Sequence, residues 1–303
     1  MKELGGIIPI LATPFTERGE VDRESFRRLV EASVQDGVHG LAMFGLASEY
    51  YKLSDAERLS LTELLICQAN GRVPVVISIT HHARDVAVRQ AREASAMGAD
   101  ALMIMPPFFL GATLDSIVHH IECVARAVTL PIMVQYAPLQ TGKIIDPEIF
   151  AELHLKHPNV THVKVDTVPS GMTITALQQV SDGSLKSIVG YMGLHLPEDV
   201  ARGVAGCAPS ASLGRAFVHL WSLLCQGSDE GRIFHQRLLP MLNFMMQSVE
   251  MLIACEKLLL VRRRIFPSAC SREPAFHLDR FQLAELDRHA EALTEWLPNL
   301  RPS

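Results

Sequence analysis

The feature that most constrains this chain is an alternation of short apolar or β-branched runs with longer stretches of helical periodicity. That alternation marks parallel βαβ units, because a strand buried on both faces needs a helix to carry the chain back to its start. Strand-like runs fall at 6–12, 40–45, 73–80, 101–105, 131–136, 160–166, 185–191 and 206–212, eight in all. The first helical stretch repeats Phe26, Leu29, Val30 and Val34 on one face and ends at Gly37, which suits the left-handed position after a helix. The second opens with a capping box, Ser54 and Glu57, ahead of Leu59, Leu61, Leu64 and Leu65. Further helices are expected over 85–97, 114–128, 147–157, 171–180 and 197–203.

Eight βα units in roughly 210 residues fit a closed (β/α)8 TIM barrel, with helices outside and packed side chains within. An open doubly wound sheet would announce itself by a glycine-rich phosphate turn after the first strand, and Ala12-Thr13-Pro14-Phe15-Thr16 contains no glycine. Beyond Ser212 the pattern is helical only: 215–226, a stretch from Asp229 to about Arg264 with a break near Pro240, and 283–296. The expected organisation is a barrel over 1–213 and a C-terminal helical cap packed on it over 214–303.

Lys and Arg number 28 against 33 Asp and Glu, a net charge of -5 spread along the chain, so no basic stripe suggests nucleic acid or an anionic membrane. A small molecule is the partner left. The six cysteines are far apart with no CxxC pair and read as reduced core residues. Pro9 and Pro14 come too early for a secretory segment, and no apolar run approaches a membrane span. The expected location is cytoplasmic.

Barrel chemistry sits at the C-terminal ends of strands. On the sixth run, period-two alternation puts Val163 and Val165 on one face and His162, Lys164 and Asp166 on the other. Lys164 then points into the barrel, where desolvation disfavours the ammonium and favours an amine able to form an imine. A structural lysine paired with Asp166 fits the same position. Tyr136, ending the fifth run, offers a phenol to protonate a carbinolamine and move a proton at the carbon being bonded. The turn Gly45-Leu46-Ala47-Ser48-Glu49 offers backbone N–H groups as a small anion nest.

In series these residues resemble the dihydrodipicolinate synthase/N-acetylneuraminate lyase family of class I Schiff-base aldolases, as a divergent member, over nearly the whole chain. Gly6-Ile7-Ile8-Pro9 with Thr13-Pro14-Phe15 is similar to that family's first strand. Gly45–Glu49 stands where the family has Gly-Thr-Thr-Gly-Glu, and Leu53-Ser54 with Glu57-Arg58 looks like the helix start that follows. Pro106-Pro107-Phe108-Phe109 resembles its Pro-Pro-Tyr-Tyr segment, and Tyr136–Gly142 its Tyr-Asn-x-Pro-x-x-Thr-Gly. Lys164 falls at the imine-forming lysine. The resemblance implies a cofactor-independent, metal-free lyase acting on pyruvate or a related 2-oxo acid and an aldehyde, assembled as a homotetramer or homodimer. The apolar stretch 241–254 is a candidate interface.

The departures bear on the reaction. Leu46 and Ala47 replace the two threonines of the hydroxyl relay, and Phe109 replaces the tyrosine contributed by a neighbouring subunit. Gln140 replaces the arginine that holds the second substrate in the lysine-pathway enzyme, so that pathway is not expected. The segment from Tyr136 to Gly142 is one residue short, so either Tyr136 or Gln135 faces the site; with Gln135 inward, the acid must be water, the substrate or His162. The substrate carboxylate would rest on the Ala47 and Ser48 backbone, with Leu46, Phe109 and Met192 making the pocket apolar. The reaction is aldol cleavage or condensation, or dehydration. A catalytically silent barrel with a binding or regulatory role, and a barrel binding a phosphorylated cofactor, stand as alternatives. His81-His82, the run Arg262-Arg263-Arg264 and the group Ser210, Ser212, Gly214 and Arg215 read as rim contacts, a solvated helix end and an incomplete phosphate site.

Overall fold

The computed structural model describes residues 4–296. Strand β1 (Gly6–Ile7) leads through helix α1 (Arg23–Gln35) to β2 (Leu41–Met43) and α2 (Asp55–Ala69). The alternation continues with β3 (Val75–Ser78), α3 (Arg84–Met97), β4 (Ala101–Ile104), α4 (Leu114–Ala127) and β5 (Ile132–Tyr136). Then come the one-turn α5 (Pro138–Thr141), α6 (Pro147–Lys156), β6 (Val160–Val165), α7 (Ser170–Ser181), β7 (Lys186–Val189), α8 (Leu196–Ala201) and β8 (Gly206–Cys207). Helices α9 (Gly214–Cys225), α10 (Asp229–Met245), α11 (Val249–Arg262) and α12 (Arg280–Trp296) follow. The strand order is β1-β8-β7-β6-β5-β4-β3-β2, with β2 to β8 in sequence order, as in a (β/α)8 barrel with C-terminal helices added.

Two compact units make up the chain: Pro74–Ala208 together with the residues up to Gly5, and Gly6–Val73 together with the residues from Pro209 onward. In the first, β3 to β8 pair in parallel. The β5–β6 ladder contains a bulge. Ile132 pairs with Val160 but Met133 with His162, so Thr161 is passed over, and from there Gln135 pairs with Lys164 and Tyr136 with Val165. That single skipped residue decides which side chains share a face with Lys164.

In the second unit, Asp22 caps α1 by accepting from the N–H groups of Glu24 and Ser25 at 3.1 and 3.0 Å, and Gly37 follows the helix with φ 81°. The α2 capping box closes in both directions. Phe26, Leu29 and Val30 of α1 and Leu61 and Leu65 of α2 are buried. Beyond Ile7 the ladder thins to single parallel bridges of Ile10 with Ala42 and with Ser210, so β1 is shorter than its sequence run.

Three expectations about the C-terminal helices are corrected. Pro240 lies inside α10 and does not end it; the chain turns by 115° between α10 and α11 instead. Ser248 makes that turn: its backbone is extended, and its Oγ accepts from the Met251 N–H at 3.0 Å to cap α11. The apolar stretch proposed as an interface is spent within the unit, since Met241, Leu242, Met245, Met251, Leu252 and Ile253 are all buried there. Arg263 is not a solvated helix end. It donates to both Asp36 oxygens at 3.0 and 2.7 Å and to the carbonyls of Ala211 and Ser212 at 3.2 and 2.9 Å. Among the described residues no single helix is long and apolar enough to cross a membrane.

Candidate active site

Lys164 lies near the C-terminal end of β6, buried, with its face set by the alternation read from the sequence. Its Nζ donates to both oxygens of Asp166, at 2.7 and 2.6 Å, and both side chains are almost inaccessible to solvent. Strand periodicity of two places these side chains on the same face, two residues apart. Gln135, Lys164's register partner on β5, donates through Nε2 to Asp166 Oδ2 at 2.7 Å. The carboxylate is thus held by an ammonium and an amide together, as a buried charge must be.

Gly190, just after β7, closes this cluster. A Cβ on residue 190 would sit 1.6 Å from Asp166 Oδ1 and 2.8 Å from Lys164 Nζ, so only glycine leaves room for the pair. The chain then turns through two consecutive left-handed residues, Tyr191 (φ 46°) and Met192 (φ 53°), an uncommon conformation for bulky side chains. Met192 is buried. The Tyr191 hydroxyl accepts from Gln140 Nε2 at 2.8 Å. Burial raises the Tyr191 phenol; the Gln140 hydrogen bond opposes this and the charge of nearby Asp166 adds to it.

The expectation that Tyr136 faces Lys164 is corrected. In register with Val165, Tyr136 lies on the opposite face of β5, its ring 5.3 Å from Phe150 of α6 and its hydroxyl accepting from the Ile145 N–H at 3.4 Å. Gln135 takes the inward position, because one step along a strand reverses the facing of a side chain. His162 is no substitute: two residues before Lys164 on β6, its ring contacts the Leu4 carbonyl at 3.2 Å and the Thr161 hydroxyl at 2.8 Å. Phe109 is 68% exposed, and both it and Phe108 pack on the His82 ring.

Leu46, Ala47 and Ser48 belong to the other compact unit, where they form one 3-10 turn. The part foreseen for Ser48 is corrected. Its backbone N–H closes the turn onto the Gly45 carbonyl at 3.0 Å, its hydroxyl donates to the Leu11 carbonyl at 2.6 Å, and its carbonyl accepts from Thr13 Oγ1 at 2.6 Å. Glu49 follows with φ 55°, fully buried, paired with Lys52 at 2.7 Å and with the equally buried Lys257. Ser212 and Arg215 are likewise committed, to Glu256 and Asp36, so the suspected phosphate position is filled by carboxylates.

The structure therefore brings Lys164, Gln135 and, through Tyr191, Gln140 into one neighbourhood, and leaves Tyr136 out of it. The sequence presents Asp166 only as a pairing partner and Tyr191 as a strand end. The signal for Tyr191 was the flanking pair Gly190 and Gly193, which brackets a turn rather than a strand.

Residues 3–293 match the sequence model of the Dihydrodipicolinate synthetase family. A probable 2-dehydro-3-deoxy-D-pentonate aldolase of Escherichia coli K12 is 32% identical over 170 residues, 56% of each chain. A 4-hydroxy-tetrahydrodipicolinate synthase of an Exiguobacterium strain is 26% identical over 250 residues, 78% of this chain and 81% of that one. The chain spans about half the length of the first curated relatives it matches, 56% of the Escherichia coli protein among them. Among solved structures, the 4-hydroxy-tetrahydrodipicolinate synthase of Methylacidiphilum fumariolicum SolV superposes with a TM-score of 0.91 at 21% identity, over 98% of both chains.

Proposed function

Because the chain belongs to the dihydrodipicolinate synthetase family, a family of lyases, we propose that it forms a Schiff base between Lys164 and pyruvate or a related 2-oxo acid. The reaction is then reversible aldol cleavage or condensation, or dehydration of a deoxy-2-oxo acid. The observation that carries this reading is a buried lysine near the C-terminal end of β6, bonded to a carboxylate that an amide holds in place. The ammonium must lose a proton before nitrogen can attack the ketone, and Asp166 is in direct contact to accept it. Once Asp166 has released that proton to water, its carboxylate faces the iminium nitrogen and offsets its positive charge. Gln135 acts as a positioning residue for Asp166. Gln140, at the place of an arginine clamp and bonded to Tyr191, argues against the lysine-pathway reaction.

A second reading, a silent barrel with a binding role, draws support from the outward Tyr136 and from the Lys164–Asp166 ion pair itself. Borohydride reduction in the presence of pyruvate separates the two. An adduct mapped by mass spectrometry to the peptide carrying Lys164 supports the lyase. Absence of an adduct with pyruvate and with longer 2-oxo acids refutes it.

A further inference from the structure

Imine chemistry needs a group that gives up a proton to a departing oxygen and then takes one from carbon, and Tyr136 is turned away from Lys164. Tyr191 stands directly after Gly190, whose position lies against both Lys164 and Asp166. Its side chain starts beyond β7 and its hydroxyl ends on Gln140, in α5 directly beyond β5. In the sheet, β6 lies between those two strands, so the phenol spans the end of the strand that carries Lys164. Gln140 donates to the phenolic oxygen, which leaves the hydroxyl's own proton directed elsewhere. The Gln140 amide oxygen is buried with no hydrogen-bond partner among the described residues, an acceptor open to a substrate hydroxyl.

We propose that Tyr191 is the catalytic acid and base of this site, with Gln140 as its positioning residue; this rests on the Schiff-base reading above. The Lys164 amine nitrogen adds to C2 of the 2-oxo acid as the carbonyl π electrons move to oxygen, and one nitrogen proton passes to that oxygen to give the carbinolamine. Its lone pair then forms the C=N bond as the C–O bond breaks, and the departing hydroxyl takes the Tyr191 proton and leaves as water. This yields an iminium and a tyrosinate. The tyrosinate removes a proton from C3, the C–H electrons form the C2=C3 bond, and the iminium π electrons return to nitrogen. A neutral enamine results and the phenol is restored. Burial, which keeps the phenol protonated, suits its first step.

The test needs no aldehyde. Exchange of the pyruvate methyl protons in deuterated buffer, followed by proton NMR, reports enamine formation, while borohydride trapping reports the imine. Tyr191→Phe is expected to slow exchange by ~100-fold or more while still yielding the Lys164 adduct on long incubation, and Tyr136→Phe to stay within ~3-fold of the unaltered chain. Gln140→Leu removes a bond that lowers the phenol, so the alkaline limb of the exchange rate moves to higher pH, a shift that a purely structural role would not produce. Exchange in Tyr191→Phe within ~3-fold of the unaltered chain overturns the assignment of Tyr191 alone. If Tyr191→Phe does not fold, an unmoved limb in Gln140→Leu overturns it equally. Exchange without any Lys164 adduct in the unaltered chain overturns the Schiff-base reading, and the Tyr191 role with it.

Discussion

Replacing Lys257 by Met tests the buried charge network behind the turn that follows β2. The Lys257 side chain is fully buried in α11, paired with Glu49, and donates to the Cys270 carbonyl at 2.9 Å and the Ser271 hydroxyl at 2.8 Å. Burial lowers its basicity and the Glu49 carboxylate works against that. Methionine fills nearly the same volume, so the loss is electrostatic rather than a cavity. Removing one partner of a buried pair costs about 3–5 kcal/mol, because the other charge is left without compensation. Lys52 still reaches Glu49 at 2.7 Å, which places the expected cost near the lower end, about 3 kcal/mol. Urea denaturation would show a lower midpoint with an unchanged slope. Adding Glu49→Gln removes the stranded carboxylate, so the double variant should recover more than half of the loss. A double variant less stable than Lys257→Met alone would refute the reasoning, since the carboxylate would then not be the source of the cost.

Two further outcomes follow from the first unit. Gly190→Ala puts a methyl into the space of Asp166 Oδ1, so the carboxylate must leave Lys164; borohydride trapping should slow by ~100-fold, and the crowded, separated pair should lower the thermal melting midpoint as well. Asp199, in α8, is pushed up to about 6 from 3.8, mainly by burial, with the Ser170 hydrogen bond opposing. The folded chain therefore holds this proton more tightly than the unfolded chain, so its contribution to stability is present below pH 3.8 and is lost as pH rises through about 6. Asp199→Asn should flatten the melting temperature across that window and gain relative to the unaltered chain above it; an unchanged pH profile would refute the assignment.

The barrel was legible because its strands and helices obey different periods, and local devices such as the Ser54–Glu57 box hold regardless of tertiary context. Lys164 was legible for the same reason, since alternation along β6 fixed its face. Tyr136 was not. Its facing depends on a bulge that passes over Thr161, an event of strand pairing that no single strand's pattern contains. Tyr191 was lost at a strand end, where one apolar residue more or less reads the same, although here the backbone swings into the left-handed region. Pro240 misleads in the opposite way: a residue that removes one helical hydrogen bond reads as a boundary, while the boundary belongs to Ser248, which supplies one. The role of Ser48 failed because a 3-10 turn consumes the very amide that an anion nest would offer.

The hydrogen bond between Gln140 and Tyr191 also has a kinetic meaning. Each partner sits on a small turn closed by its own backbone bonds, Gln140 N–H to the Ala137 carbonyl at 3.1 Å and Gly193 N–H to the Gly190 carbonyl at 2.9 Å. The side-chain bond ties these turns together, so neither can swing outward without breaking it. At about 1 kcal/mol, such a tie makes independent opening roughly fivefold rarer. The two turns should therefore breathe as one unit, and any solute that enters past one of them waits on the other.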